Sequence, residues 1–338
     1  MSHEHFIVIG NGPAGNQASL TLKECMPHAR VTVISKDLNR SYKPRLLPDF
    51  IAGKIPKEAL FECSFQSYES RGVKLRCGQK VVSVDLNRRE LTLDHREVLP
   101  FTGLIIAAGG KPRIPEPLEV FEDLLLTLKT LKDAKQWIEL LSRAQRILIM
   151  GGDLTSLALT KALIRLKKDV YFMLNEDAFW PLRCNQALFD EVARHLSGRG
   201  VHVLEYARLK GMARLSEQDF QVHIDDETME VDLIGAFFGL VPDIKFLARS
   251  GLQIDRGILV DEFLNTGFEG VYATGDCAQI YHPDIRDYWV SIGHDNAVNL
   301  GRVAALNLAG GRVRAEKAEE SIFDMEGIKV NTSWWAEF

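Results

Sequence analysis

The chain has 338 residues, 46% hydrophobic and 26% charged, with a formal net charge of −5. At roughly 100–200 residues per domain this is too long for one core, so a globular protein of two domains is expected. The acidic balance, with no basic run interleaved with aromatics, argues against nucleic acid as a partner, and no apolar run reaches the ~18 residues of a membrane helix.

The first element is the most informative. Phe6-Ile7-Val8-Ile9 runs into Gly10-Asn11-Gly12-Pro13-Ala14-Gly15, and Ala14, Ala18 and Leu22 then recur at helical spacing. This reads as a buried strand, a tight G-x-G-x-x-G turn and the start of a helix. Gly10 turns the chain, Gly12 lets a pyrophosphate approach the backbone, and Gly15 lets helix and strand pack closely. The helix N-terminus then offers unpaired N–H groups and the positive end of its dipole to the phosphates.

Val31-Thr32-Val33-Ile34 is the second parallel strand. An acid for the adenosine ribose belongs at its end, but Ser35-Lys36-Asp37 stands there. Tyr42-Lys43-Pro44-Arg45-Leu46-Leu47-Pro48 reads as a loop that brings two cations near the pyrophosphate. Residues 73–99 alternate apolar and polar and read as an antiparallel meander. Leu104-Ile105-Ile106-Ala107-Ala108-Gly109 is a buried strand ending in small residues, with Arg113 beyond it. An amphipathic helix falls within 116–141.

The opening pattern then recurs as Arg146-Ile147-Leu148-Ile149-Met150-Gly151-Gly152-Asp153-Leu154-Thr155-Ser156, with Val170–Leu174 as its second strand. An internal repeat of this kind means two nucleotide-type folds in one chain. Here Asp153 and Ser156 replace the second and third glycines. Residues 201–234 are again rich in strands. Gly270-Val271-Tyr272-Ala273-Thr274-Gly275-Asp276-Cys277 is a strand ending in Gly-Asp, where a fixed carboxylate can accept hydrogen bonds from a polyol. A helix runs from about 295 to 308, and Trp334 and Trp335 lie in a short terminal segment.

The five cysteines, at 25, 63, 77, 184 and 277, form no C-x-x-C pair, and no Cys/His cluster has zinc spacing. Reduced thiols, no metal and a cytoplasmic location are expected. The polar N-terminus leads straight into a short strand, so no signal peptide is expected.

The four motifs Gly10–Gly15, Leu104–Gly109, Gly151–Ser156 and Thr274–Asp276 come in the order found in the FAD-dependent pyridine nucleotide–disulfide oxidoreductases. The chain resembles that family over nearly its whole length, and within it the rubredoxin reductase and nitrite reductase flavin-domain branch. The resemblance implies an α/β fold of two Rossmann-like, glutathione-reductase-type dinucleotide-binding domains, the second inserted in the first. The FAD domain would be residues 1–115 plus 250–315, the NAD(P)H-type domain 116–249, and the tail 316–338 a truncated C-terminal interface domain. It further implies that Gly10, Gly12, Pro13, Ala14 and Gly15 cradle the FAD pyrophosphate, with Ser35 and Lys36 at the adenosine and Val81 against the adenine. Lys43, Arg45 and Arg113 would line the phosphates or the flavin edge, Ala107 and Gly109 the approach to the flavin, and Gly275 and Asp276 the ribitol. Ala297 would lie at a helix N-terminus aimed at the isoalloxazine, where the dipole favours the anionic reduced form.

Three departures shape the functional expectation. No cysteine lies between Tyr42 and Phe50, where the family's disulfide reductases carry theirs. In the second turn, Gly151, Gly152, Asp153 and Ser156 form a degenerate NAD(P)-type site, Ala158 replaces the usual glutamate, and the acid of Leu174-Asn175-Glu176 comes late. The expected function is an FAD-dependent oxidoreductase, with NAD(P)H passing electrons through non-covalent flavin to a rubredoxin- or ferredoxin-like protein or a larger redox complex. The alternatives are an FAD electron-transfer protein or subunit that no longer uses NAD(P)H, and a non-catalytic FAD-binding scaffold. No catalytic side chain is assigned, and a homo-oligomer is compatible with the tail.

Overall fold

A computed structural model describes residues 4–174, 186–205, 207–216, 219–284, 286–316, 322–325, 328–331 and 334–337. Its centre is a five-stranded, all-parallel sheet in the order Val271–Ala273, Gly103–Ile106, His5–Ile9, Arg30–Ser35, Val73–Cys77. Ile7, Val8, Leu104 and Ile105 are fully buried, as strands covered on both faces must be. The helices Pro13–Cys25 and His294–Leu308 pack against each other beside this sheet. The chain leaves the central strand His5–Ile9 for a neighbour on one side and later returns to the other side. The carboxyl ends of the strands therefore frame a crevice at the reversal of strand order, where ligands bind in such sheets.

A second all-parallel sheet repeats the plan in the order His202–Glu205, Asp169–Leu174, Arg146–Gly151, Leu233–Phe237. In both units a three-stranded antiparallel meander precedes the returning strand: Val81–Asp85, Glu90–Leu93 and Val98–Pro100 in the first, Leu209–Arg214, Phe220–Ile224 and Glu227–Val231 in the second. The two connections run side by side, Leu240–Pro242 pairing antiparallel with Gly110–Pro112. The helix Leu131–Leu141 opens on a capping box, Thr130 and Asp133 satisfying each other's backbone N–H groups.

Two local expectations need correction. Val73–Cys77 is not part of the meander; it pairs parallel with Arg30–Ser35 as the sheet's edge strand. An edge strand is covered unevenly, so it alternates in polarity as a meander does. The segment from Tyr42, expected as a loop bringing two cations to the pyrophosphate, is not a loop. It forms a short 3-10 turn, Pro44–Leu46, and a helix, Leu47–Ile51. Tyr42, Leu47, Ile51 and Leu60 are buried in one apolar cluster with Leu131, Trp137 and Leu157 of the second unit.

Candidate functional site

The carboxyl ends of the first sheet open on a cavity of about 820 Å³, within the range of cofactor sites. Its floor is the first glycine turn. Gly10 has φ +105°, and a Cβ there would meet the Ala107 carbonyl oxygen at 2.0 Å. Gly15 is equally constrained, since its Cβ would lie 2.0 Å from the Gly10 oxygen. At Gly12 the situation is reversed: nothing lies within 4 Å of a Cβ, and as N-cap of Pro13–Cys25 it supplies no side-chain acceptor. No side chain caps that helix start, and Gly12, Pro13 and Ala14 line the cavity, so the helix end offers an anion site there.

The rest of the lining comes from several segments. Ser35 ends the strand Arg30–Ser35 and Lys36 and Asp37 follow it, Val81 begins the meander, Ala107 and Gly109 follow the strand Gly103–Ile106, and Gly275, Asp276 and Ala297 complete the lining. Lys36 is ion-paired with Asp243, near the return from the second unit. Asp37 accepts the Tyr42 hydroxyl at 2.9 Å, and burial raises the tyrosine's pKa far above its ordinary value. Of the expected cofactor residues, Lys43, Arg45, Arg113 and Gly15 do not line the cavity. Gly15 packs behind the turn, and Lys43 and Arg45 act electrostatically on His294.

Asp276 stands in the turn Gly275–Cys277, which follows the strand Val271–Ala273. The Lys129 ammonium lies 3.6 Å from its carboxylate. Lys129 was not anticipated from the sequence. It precedes the capping box of a helix far away in the chain, and its position beside Asp276 exists only in the fold. Thr127 and Thr130 of the same segment also face the cavity.

The cavity fits a dinucleotide flavin. It offers an uncapped helix start at Gly12, an acid at Asp276, and four lining residues with a buried polar atom that has no hydrogen-bond partner: the Asn11 side-chain amide nitrogen, Arg40 Nε, Gln79 Oε1 and the Thr274 hydroxyl.

Cys277 is fully buried and its thiol faces the Thr274 and Ile106 carbonyls at 3.3 and 3.5 Å. Burial, aided by the Asp276 charge, pushes its pKa up to about 11, so it is no ready nucleophile. The described cysteines 25, 63, 77 and 277 are unbridged; Cys184 lies outside the described residues, as do Asn175 and Glu176. No His/Cys/Asp/Glu cluster that could hold a metal occurs among the described residues.

The second glycine turn differs. Gly151 repeats the geometry of Gly10, with φ +102° and a Cβ that would meet the Phe237 carbonyl oxygen at 1.9 Å. Asp153 is the N-cap of the helix Leu154–Arg165. One carboxylate oxygen accepts the Ser156 N–H at 2.9 Å, and the other accepts the Gly239 N–H at 3.2 Å. Burial raises the Asp153 pKa, while these N–H groups and the Lys129 charge pull it back. None of Gly151, Gly152, Asp153 and Ser156 lines the large cavity.

Comparison with known proteins agrees with the fold and the motifs. The profile of the family described as pyridine nucleotide-disulphide oxidoreductase matches residues 4–301. Putidaredoxin reductase CamA of Pseudomonas putida is 26% identical over 330 residues, covering 94% of this chain and 77% of that protein. The assimilatory nitrate reductase electron transfer subunit of Bacillus subtilis is 22% identical over 281 residues, covering 82% of this chain but 36% of that protein. The nitric oxide reductase FlRd-NAD(+) reductase of Salmonella agona is 26% identical over 275 residues, covering 81% and 72%. Among solved structures, putidaredoxin reductase in its covalent complex with putidaredoxin superposes with a TM-score of 0.87 at 22% identity, covering 98% of this chain and 82% of that one. An NAD-dependent persulfide reductase from A. fulgidus gives 0.87 at 23%, covering 97% and 63%.

Proposed function

This chain belongs to the pyridine nucleotide-disulphide oxidoreductase family, and from that premise we propose that it is an FAD-dependent oxidoreductase passing electrons through a non-covalent flavin to or from a small redox protein. The observation that carries the reading is the first glycine turn, uncapped and open at Gly12, in the lining of a cavity that also holds Asp276. Bound FAD supplies a centre that takes up a pair of electrons and can release them singly. The chain's own residues hold and orient it. The turn Gly10–Gly15 and the first N–H groups of Pro13–Cys25 take the pyrophosphate. Ser35 and Lys36 lie at the adenosine and Val81 against the adenine. Asp276 accepts hydrogen bonds from the ribitol, its charge balanced by Lys129. Ala297, in the first turn of His294–Leu308, brings the positive end of that helix toward the flavin.

A redox protein as partner is supported by the relatives, a putidaredoxin reductase, an FlRd reductase and an electron transfer subunit. A cytoplasmic location is supported by the unbridged thiols, and no described helix is long and apolar enough to cross a membrane. The purified protein is expected to be yellow and to release FAD, not FMN, on denaturation. It should be bleached by dithionite and reoxidised by a one-electron protein carrier. A colourless protein that cannot be reconstituted with FAD would remove the reading. Tightly bound FAD that never exchanges electrons with a protein would leave a scaffold.

A further inference from the structure

The chain contains its own control for dinucleotide binding, because the same turn occurs twice. The first glycine is equivalent in both: Gly10 and Gly151 have φ +105° and +102°, each against a carbonyl of the returning segment. The second position separates them. At Gly12 there is neither side chain nor neighbour, and no side chain caps the helix start. At Asp153 a side chain folds back over the helix start, and its two oxygens take the N–H groups of Ser156 and Gly239. The third position differs in the same sense. The first turn has no room for a Cβ at Gly15. The second carries Ser156, fully buried, whose hydroxyl donates to the Asp153 carbonyl at 2.6 Å. The backbone that would hold a pyrophosphate is therefore already satisfied by a carboxyl group of the protein.

We infer that the second dinucleotide fold is closed to NAD(P)H, Asp153 standing permanently in the place of the pyrophosphate. A ligand phosphate would have to displace a buried group and leave it without its N–H partners, a cost the first turn does not impose. The closure holds in either ionisation state, because an oxygen acceptor occupies those N–H groups in both. The inference rests on the reading of the first cavity as the flavin site and departs from the family only at the second.

The test uses FAD-loaded protein, so that the first cavity is filled and its spectrum verifies that reading before any nucleotide is added. ADP-ribose and NAD+ are titrated by calorimetry, and NADH and NADPH are mixed anaerobically in a stopped flow. The unmodified protein is expected to show no saturable heat and no rapid bleaching, while dithionite reduces it fully. D153G combined with S156G should make ADP-ribose binding saturable, a gain of at least about tenfold. D153N keeps the side-chain bulk over the helix start and, through its one amide oxygen, the Ser156 cap, and should remain blind to ADP-ribose. Micromolar binding or rapid bleaching in the unmodified protein would overturn the inference. So would a folded, flavin-loaded double variant that gains nothing, or a D153N variant that binds, since occupancy would then not be the barrier.

Discussion

Gly301 sits against the backbone of Ala14 so closely that a Cβ on Gly301 would lie 2.1 Å from the Ala14 carbonyl oxygen. The contact locks the helix His294–Leu308 onto Pro13–Cys25, and both helices start at the candidate flavin cavity, Ala14 and Ala297 among its lining. Distance between the two helices is thus set by the absence of one methyl group.

Gly301→Ala follows as the first prediction. The obstructing atoms are backbone and cannot swing aside, so the helices must separate. Overpacking of this kind costs ~1–3 kcal/mol or more. The variant should melt several degrees lower and lose FAD faster on dilution. Unchanged melting and flavin retention would show that the helices slide apart freely.

Asp276→Ala tests the acid of the cavity lining. It removes a charged acceptor and leaves Lys129, whose ammonium is 3.6 Å away, with an unbalanced charge in the cavity. Hydrogen bonds to charged groups contribute ~1.5–3 kcal/mol, so FAD affinity should fall by about 10–100-fold. Asp276→Asn should fall less, keeping one acceptor. Equal FAD affinity in all three proteins would remove Asp276 from the site.

The turns were legible in the sequence because a close backbone approach tolerates only glycine, and Gly10 and Gly151 announce it. Asp153 was legible as a departure, but not its direction. A side chain at that position can point to solvent or fold back as a cap, and Gly239, far along the chain, decides between them. Lys129 and the buried segment at Tyr42–Ile51 were hidden for a similar reason. Pro44 and Pro48 interrupt the apolar run of that segment, and its core partners come from the second unit. Val73–Cys77 was misplaced because an edge strand and a meander strand share one polarity pattern.

Cys277 adjoins the candidate ribitol carboxylate, yet its thiol should be chemically silent. With its pKa raised to about 11 by burial, alkylation by iodoacetamide at pH 8 should leave it unmodified in the folded protein. Cys277→Ser should keep both flavin and redox cycling, the hydroxyl donating to the same carbonyls. Loss of turnover with FAD still bound would make this thiol a participant in the chemistry.

His294 gives a prediction with a defined sign. It is the first residue of the helix His294–Leu308, largely buried, with Nε2 3.9 Å from Glu62. Glu62 is held in turn by the Asn16 amide and the Ser41 hydroxyl at 2.9 and 2.7 Å. Burial lowers the His294 pKa most, Arg45 and Lys43 lower it further, and Glu62 and Asp295 oppose them. The folded imidazole therefore stays neutral at a pH where the unfolded one, with its ordinary value of 6.5, takes a proton. Stability from this residue is present above pH 6.5 and is lost as pH falls through that value toward the folded one. His5, also lowered, contributes in the same direction, so the effect of His294 is read as a difference. Melting temperatures of wild type and His294→Gln should diverge between pH 7.5 and 5, the wild type losing more on acidification. The flavin spectrum, recorded in parallel, should track the same pH window because the helix start that titrates is the one facing the cavity. Identical pH profiles for the two proteins would mean that His294 titrates alike folded and unfolded.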